Sequence, residues 1–215
     1  VMISWRVEED HVEYMQKCGI PASYISKTAR DYDIYTVSTS NVDATYDMTK
    51  YLLDKGHEKI AFVMTSQDDT VLERERLTGY EKALAERNIS LDESLIKHGT
   101  TTYEGGYNSM KEMLEEGVVP HAAFVTGDEA AIGAINAICD SGYRVPEDIS
   151  VAGFNDVKIA KMYRPKLTTV HQPLYDMGAV AIRMVIKMIN KEILEDKKIE
   201  LPYRIEERES VIERR

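Results

Sequence analysis

The sequence predicts an α/β fold of parallel sheets covered by helices, and three observations lead there. Strand-length apolar runs and helix-length amphipathic windows alternate almost strictly along the chain. Several runs, at 59–64 (KIAFVM), 122–126 (AAFVT) and 149–154 (ISVAGF), are apolar throughout, as strands buried on both faces must be. Short turns carrying Gly and Pro join the segments, as at Gly19-Ile20-Pro21 and between Gly142 and Pro146. With 215 residues, 43% of them apolar, the chain can build one large core or two smaller ones.

The elements follow in order. A helix is expected over 8–18, with Val12, Met15 and Cys18 on one face, then a short strand over 21–26. A second helix over 43–55 places Ala44, Met48, Tyr51 and Leu52 on one side and stops at Gly56. The strand at 59–64 leads to a long helix over 71–88 with Leu72, Leu77, Tyr80 and Leu84 on its apolar side. A weak strand at 95–98, a helix over 104–116, the strand at 122–126 and a helix over 129–141 follow, the last closed by Gly142. Strands at 149–154 and 167–171, a strongly amphipathic helix over 175–190 and a last strand at 201–205 complete the pattern. On the 175–190 helix the stripe Tyr175, Ala179, Ile182, Val185, Ile186, Ile189 is expected to pack on its own sheet, leaving Met184 and Met188 for a partner surface. Ligands of such folds gather at the carboxyl ends of strands, which directs attention to 65–69, 127–128 and 155–156.

Composition excludes several functions. A net charge of −10 repels phosphate backbones, so this chain should not bind DNA by itself. The two cysteines, Cys18 and Cys139, are too few and too far apart for a disulfide framework or metal site, and each is expected as a small buried hydrophobe. The histidines at 11, 57, 98, 121 and 171 are scattered and suit structural or surface roles; His57, after a helix-ending glycine, sits where a cation is favourable. No Gly-rich phosphate loop, Gly-x-Ser-x-Gly elbow or His-Glu-x-x-His pair is present, which argues against an enzyme and calls for no cofactor or metal. Without a membrane-length apolar run or a signal peptide the expected location is the cytoplasm. The opening residues, VMISW, read as a strand in mid-protein.

Specific segments carry a resemblance. Residues 142–156, GYRVPEDISVAGFND, residues 164–173, RPKLTTVHQP, and residues 122–137, AAFVTGDEAAIGAINA, resemble blocks of the lactose/galactose repressor family of bacterial transcription regulators. LLDKGHEKIAFV at 52–63, the stretch from Arg76 to Tyr80 and the closing Arg208-Glu209-Ser210 resemble further blocks in family order. From Arg164 to the closing Ser210 the chain looks closest to the catabolite control branch. The resemblance implies a periplasmic-binding-protein-like (type I) fold of two doubly wound parallel-sheet subdomains. Residues 1–40 and 170–199 would form the N-terminal subdomain, and residues 41–169 and 200–215 the C-terminal one. The N-terminal one would be incomplete in this chain. It also implies a homodimer that contacts operator DNA through a helix-turn-helix head not in this chain. The alternative is a sugar-binding protein of a transport or sensing system with the same fold.

The same resemblance implies an effector cleft at Asn41, Arg76, Gly127, Asp128, Asn155 and Asp156. Arg76 would reach into the cleft, or else sit on the surface among Glu73, Glu75 and Glu81. Asp128 would cap the helix it precedes, serve the cleft, or both. Three positions depart from the family: Gly127 stands for Asn, Asn155 for Asp and Ser40 for Asp. Each loses a group able to fix a sugar hydroxyl, and each unsatisfied buried hydroxyl costs about 1–3 kcal/mol. A simple sugar or sugar phosphate is therefore the less favoured effector. The catabolite control branch implies a protein co-regulator, the serine-phosphorylated phosphocarrier protein, with Arg164, Lys166 and Arg183 as its contacts or as ordinary surface cations.

Overall fold

The computed structural model describes residues 2–3, 9–25, 34–65, 71–194 and 196–214. It divides into two compact units, one of Val1–Ser40, Thr70–Leu72 and Pro173–Tyr203, the other of Asn41–Asp69, Glu73–Gln172 and Arg204–Arg215. The first unit opens with β1 (Met2–Ile3), α1 (Glu9–Lys17), β2 (Ser23–Ile25) and β3 (Tyr35–Ser38). The second carries α2 (Asn41–Asp54), β4 (Ile60–Met64), α3 (Val71–Glu86), β5 (Ile96–His98), α4 (Tyr103–Glu115) and β6 (Ala122–Val125). It continues through α5 (Asp128–Asp140), β7 (Ser150–Asn155), α6 (Lys158–Met162) and β8 (Thr168–His171). The first unit resumes with α7 (Leu174–Ile189) and β9 (Lys198–Glu200), and β10 (Arg204–Glu206) closes the second. Among the described residues no helix is long and apolar enough to cross a membrane.

In the first unit four parallel strands lie in the order β1-β2-β3-β9. In the second the order is β10-β8-β7-β6-β4-β5. Its strands are parallel except for β10, which runs antiparallel to β8 with Ile205 opposite Val170. The single last strand expected at 201–205 is instead two short strands, β9 and β10, in different units. Pro202 lies between them and has no N–H to offer a ladder. The short helix α6 had no periodic signal.

Both faces of the larger sheet are covered, which is why its strands are apolar at every position. One face carries Phe62, Phe124 and Phe154; Tyr80 of α3 stacks on Phe62 with ring centroids 4.7 Å apart. The other face presents Ala61, Val63, Ala123, Val125 and Val151 to α4 and α5. These helices touch backbone to backbone: a Cβ on Gly106 would collide with the Ala130 carbonyl, and one on Gly133 with the Tyr103 carbonyl.

Three expectations need correction. Cys18 and Cys139 are both exposed. Cys18 lies just past the end of α1, and Cys139 faces outward in the last turn of α5 while Ile135 and Ile138 take the inner side. On α7 the faces are exchanged. Met177, Ala181 and Met184 pack on Ile25 and Val37, whereas Tyr175, Ile182, Ile186 and Ile189 are exposed, Tyr175 by 88%. Ala181 is short enough to bring the helix close to the strands, and the methionines fill the gaps on either side. His57 is buried and donates no charge to the end of α2. Its Nε2 lies 2.8 Å from the Ile212 carbonyl, and burial lowers its pKa, so the ring is held neutral.

Candidate functional site

In the larger sheet β4 has β5 on one side and β6 on the other, so the chain reverses its winding direction between β4 and β6. Such a switch point opens a crevice beyond the carboxyl ends of the two strands. Thr65 ends β4 and Thr126 ends β6. The Thr65 amide donates to Thr126 Oγ1 at 3.0 Å, and the two hydroxyls lie 3.2 Å apart. Of the expected segment 65–69, residues 66–69 lie outside the described residues.

Arg76 is only 6% exposed, so the surface reading is wrong. Its Nη1 donates to the Thr126 carbonyl at 3.2 Å and to Glu73 Oε1 at 3.4 Å, and the guanidinium lies 4.3 Å from the centre of the Phe154 ring. Its Nε is buried without a hydrogen-bond partner. The buried side of α3 is thus not the leucine stripe alone: Glu73, Glu75 and Arg76 share it with Tyr80 and Leu84, while Leu72 and Leu77 are half-buried. Burial raises the Glu73 pKa against the pull of Arg76 and His98. Glu75 Oε2 accepts from Asn41 Nδ2 at 3.3 Å, which places Asn41 beside the same helix.

Asp128 is the first residue of α5, and the cap position belongs to Gly127, which makes no side-chain cap. The capping role expected of Asp128 is therefore not what its carboxylate does. Oδ2 accepts from the Val157 amide at 2.7 Å and Oδ1 from the Thr169 hydroxyl at 2.6 Å, tying α5 to the segments after β7 and within β8. Gly153 makes this approach available, because a Cβ there would sit 2.5 Å from Oδ1. Burial pushes the Asp128 pKa up to about 7; the two hydrogen bonds oppose the shift and the nearby Asp156 adds to it. A Cβ at Gly127 would be in ordinary contact with Thr65, nearest to Cγ2 at 3.4 Å.

β7 ends in two residues of positive φ, Asn155 (108°) and Asp156 (60°), a conformation that Asn and Asp tolerate better than most side chains. The turn buries the Asp156 carboxylate, which binds Arg208 Nη2 at 2.6 Å, His171 Nδ1 at 2.8 Å and Lys161 Nζ at 3.1 Å. Burial pushes its pKa up, but Arg208, His171 and Lys161 outweigh that and hold it below the usual carboxylate range. Asp156, His171 and Glu206 bring donor atoms within 4.8 Å of one another. Arg208, 3.6 Å from Glu206, already supplies the positive charge a metal would bring. Asp156 is therefore an ion-pair hub, and Asn155, half-exposed, is the group that β7 presents at this edge.

Arg208 was visible in the sequence only as part of a closing Arg-x-Ser. Here it also donates to the Leu167 carbonyl at 2.7 Å, while Ser210 donates to the Val151 carbonyl at 2.6 Å and accepts from the Thr168 amide at 2.8 Å. That motif fastens the last segment to β7 and β8. Of the expected co-regulator contacts, Arg164 is exposed and donates to the Tyr163 carbonyl at 2.9 Å, and Lys166 is paired with Glu209 at 3.0 Å. Arg183 is exposed on α7, in the other unit.

A doubly wound sheet with polar groups converging on its switch point defines a ligand-binding α/β domain. The chain matches the model of the periplasmic binding protein-like domain over residues 49–211. It is 36% identical to catabolite control protein A of Priestia megaterium, over 98% of this chain and 63% of that protein. The crystal structure of transcription regulator CcpA of Lactococcus lactis is similar with a TM-score of 0.89 at 34% identity, covering 97% of this chain and 76% of that one. A complex of the transcriptional regulator CelR with cellobiose reaches a TM-score of 0.90 at 29% identity, covering 97% and 64%. The chain belongs to the periplasmic binding protein-like domain family, within its lactose/galactose repressor (LacI) family of regulators. The α/β class and the resemblance read from residues 122–137, 142–156 and 164–173 are both borne out. The chain spans about 63% of the length of that curated relative.

Proposed function

We propose that this chain is the signal-receiving core of a homodimeric, cytoplasmic repressor of carbon metabolism. On this reading it acts by binding and not by catalysis, and operator DNA is contacted through a head outside the chain. The observation that carries the reading is the outer face of α7. Tyr175, Ile182 and Ile186 are exposed there next to Arg183 and Lys187, an apolar surface with a cationic rim. An apolar face of this kind with basic neighbours suits a phosphorylated protein better than a sugar, since arginine meets phosphate through two parallel hydrogen bonds. Names of relatives point the same way, to catabolite control. The partner is the serine-phosphorylated phosphocarrier protein, with Arg183 on α7 as the phosphate contact and the exposed Arg164 as the alternative contact. Lys166, paired with Glu209, contributes less.

Titration calorimetry tests this. Arg183→Glu should weaken binding of the phosphorylated carrier at least about tenfold, because repulsion replaces a charge-assisted bond. Arg164→Glu should weaken it less. Neither should change the melting temperature, since both side chains are exposed. Unchanged affinity in both variants would overturn the assignment.

With a net charge of −10, the chain alone should give no gel shift with operator DNA even at low salt; a micromolar complex would contradict the division of labour proposed here.

A second reading, direct sensing of a sugar by the switch-point crevice, is favoured by the buried Arg76 and by the cellobiose complex of a similar regulator. Gly127, Asn155 and Ser40 weaken it, each less able to fix a hydroxyl than the family residue it replaces.

A further inference from the structure

We infer that His57 is an acid-sensitive latch on the segment Ile212–Arg214, releasing it from the turn after α2 when the ring takes up a second proton. The segment has few other holds. The Ile212 amide donates to Ser150 Oγ at 3.2 Å, the Arg214 amide donates to the Lys55 carbonyl at 2.8 Å, and the Ile212 carbonyl accepts from His57 Nε2 at 2.8 Å. Its side chains are exposed, whereas Ser210 and Val211 just before it are buried. A stretch held mainly by such polar contacts opens locally at far less cost than the sheet it lies against. Of these contacts only the one to His57 can titrate between pH 5 and 7.

The ring is placed to stay neutral while the segment is seated. His57 is 2% exposed. A carbonyl only accepts, so the bond to Ile212 fixes the proton on Nε2 and leaves Nδ1 as a lone pair, buried and without a hydrogen-bond partner. A second proton would put a charge in this buried place with Arg214 nearby. Burial and Arg214 hold the His57 pKa below the ordinary value of 6.5, against the pull of the Ile212 and His121 carbonyls. Gly56 lets the segment come close, since a Cβ there would lie 3.0 Å from the Arg214 carbonyl. His121 brings no counter-charge: its Nδ1 accepts from the Lys59 amide at 3.3 Å, and burial, Arg214 and Lys59 lower its pKa too. The carboxylates in the neighbourhood are committed or in water. Asp148 is paired with Arg144 and Glu207 with Lys55, while Glu58, Glu147 and Glu213 are exposed. His57, Ile212 and Arg214 border a cavity of about 790 Å³ at the amino ends of β4 and β6, so water reaches the ring once the segment leaves. Release takes away both Ile212 and Arg214 and returns His57 to its ordinary value. The latch is therefore full above about pH 6.5 and weakens below it, by up to about tenfold per pH unit, until the seated ring itself takes the proton.

Hydrogen exchange of the whole chain from pH 5 to pH 7.5 tests this, read as protection factors so that the intrinsic pH dependence of exchange is removed. Protection of the Ile212 and Arg214 amides should be constant above about pH 6.5 and fall below it, by about tenfold or more in total at pH 5. The Thr126 amide, bonded to the Val63 carbonyl inside the sheet, should not follow. His57→Gln can still donate to the Ile212 carbonyl but cannot titrate, so its profile should be flat. Arg214→Gln keeps the backbone bond and removes the cation, so its profile should be shallower. The ring can also be followed directly by NMR in the unmodified chain: its midpoint should lie below 6.5 and rise in Arg214→Gln. A flat profile in the unmodified chain, the same fall in His57→Gln, a parallel fall at Thr126, or a His57 midpoint at or above 6.5 would each overturn the inference. The co-regulator reading stands or falls separately, on Arg183 and the phosphorylated carrier.

Discussion

Gly133→Ala is expected to destabilise the protein by about 3 kcal/mol, the upper end of what overpacking usually costs. The reason is local and rigid. A Cβ at this position would run into the Tyr103 carbonyl and crowd the Tyr107 amide, both backbone atoms of α4 that no rotamer change can move. Gly106 meets the Ala130 carbonyl in the same way from the opposite helix, so the two glycines together set how closely α4 and α5 approach. Forcing them apart also lifts α5 from Ala123 and Val125 of the sheet. Gly178→Ala, on α7, is the control, since a Cβ there would touch nothing within 4 Å. Helix propensity alone should make that change neutral or stabilising by up to about 1 kcal/mol. Denaturant unfolding of both variants measures the contrast; equal effects would show that the close helix contact is not what the glycine serves.

Asp128→Ala should cost about 2–3 kcal/mol, because it leaves the Val157 amide and the Thr169 hydroxyl without their shared acceptor in a buried place. Asp128→Asn should be far milder. The amide oxygen can take the Val157 N–H, and the Thr169 hydroxyl can turn from donating to accepting. The pH dependence separates the two effects. The folded-state pKa of Asp128, about 7, lies above the ordinary aspartate value of 3.8. Between these values the folded chain holds a proton that the unfolded chain has released. Stability from this group is therefore full below about pH 4 and is lost as pH rises toward 7, with no further change above. His57 and His121, both lowered by burial, work in the opposite sense as pH falls through the ordinary histidine range, and they are common to both proteins. The difference in melting temperature between the unmodified chain and Asp128→Asn should therefore shift in favour of Asp128→Asn on going from pH 5.5 to pH 8. A difference that does not vary with pH would mean that the carboxyl titrates as an exposed one does.

The sheet of the second unit was legible because its strands are short, wholly apolar and separated by helices with clear stops. β4, β6, β7 and β8 fall within a residue or two of the runs read from sequence. From the residues alone the site was legible only as a set of strand ends; Asn41 and Arg76, which lie on α2 and α3, came from the family resemblance. Asp128 looks like a cap from its position, and its partners Val157 and Thr169 lie 29 and 41 residues away. Nothing local to Asp156 announces Arg208, 52 residues on. The exchange of faces on α7 has a different origin. LYDMGAVAIRMVIKMI is apolar on most of its circumference, so a 3.6-residue period cannot say which side meets the sheet. The larger side chains, Tyr175 and the isoleucines, drew the assignment to the wrong face, and Ala181 with two methionines took the inside instead. Arg76 illustrates the reverse: flanked by charges in sequence, it is nonetheless buried, because Glu73 and the Thr126 carbonyl accept its hydrogen bonds and Phe154 receives its flat face.

The most direct measurement is a paired titration of the chain with the phosphocarrier protein in its serine-phosphorylated and unphosphorylated forms, at one salt concentration. The account predicts binding of the phosphorylated form, at least about tenfold weaker binding of the other, and loss of that preference in Arg183→Glu. Equal affinity for the two forms, or no binding of either beside tight binding of a simple sugar, would contradict it.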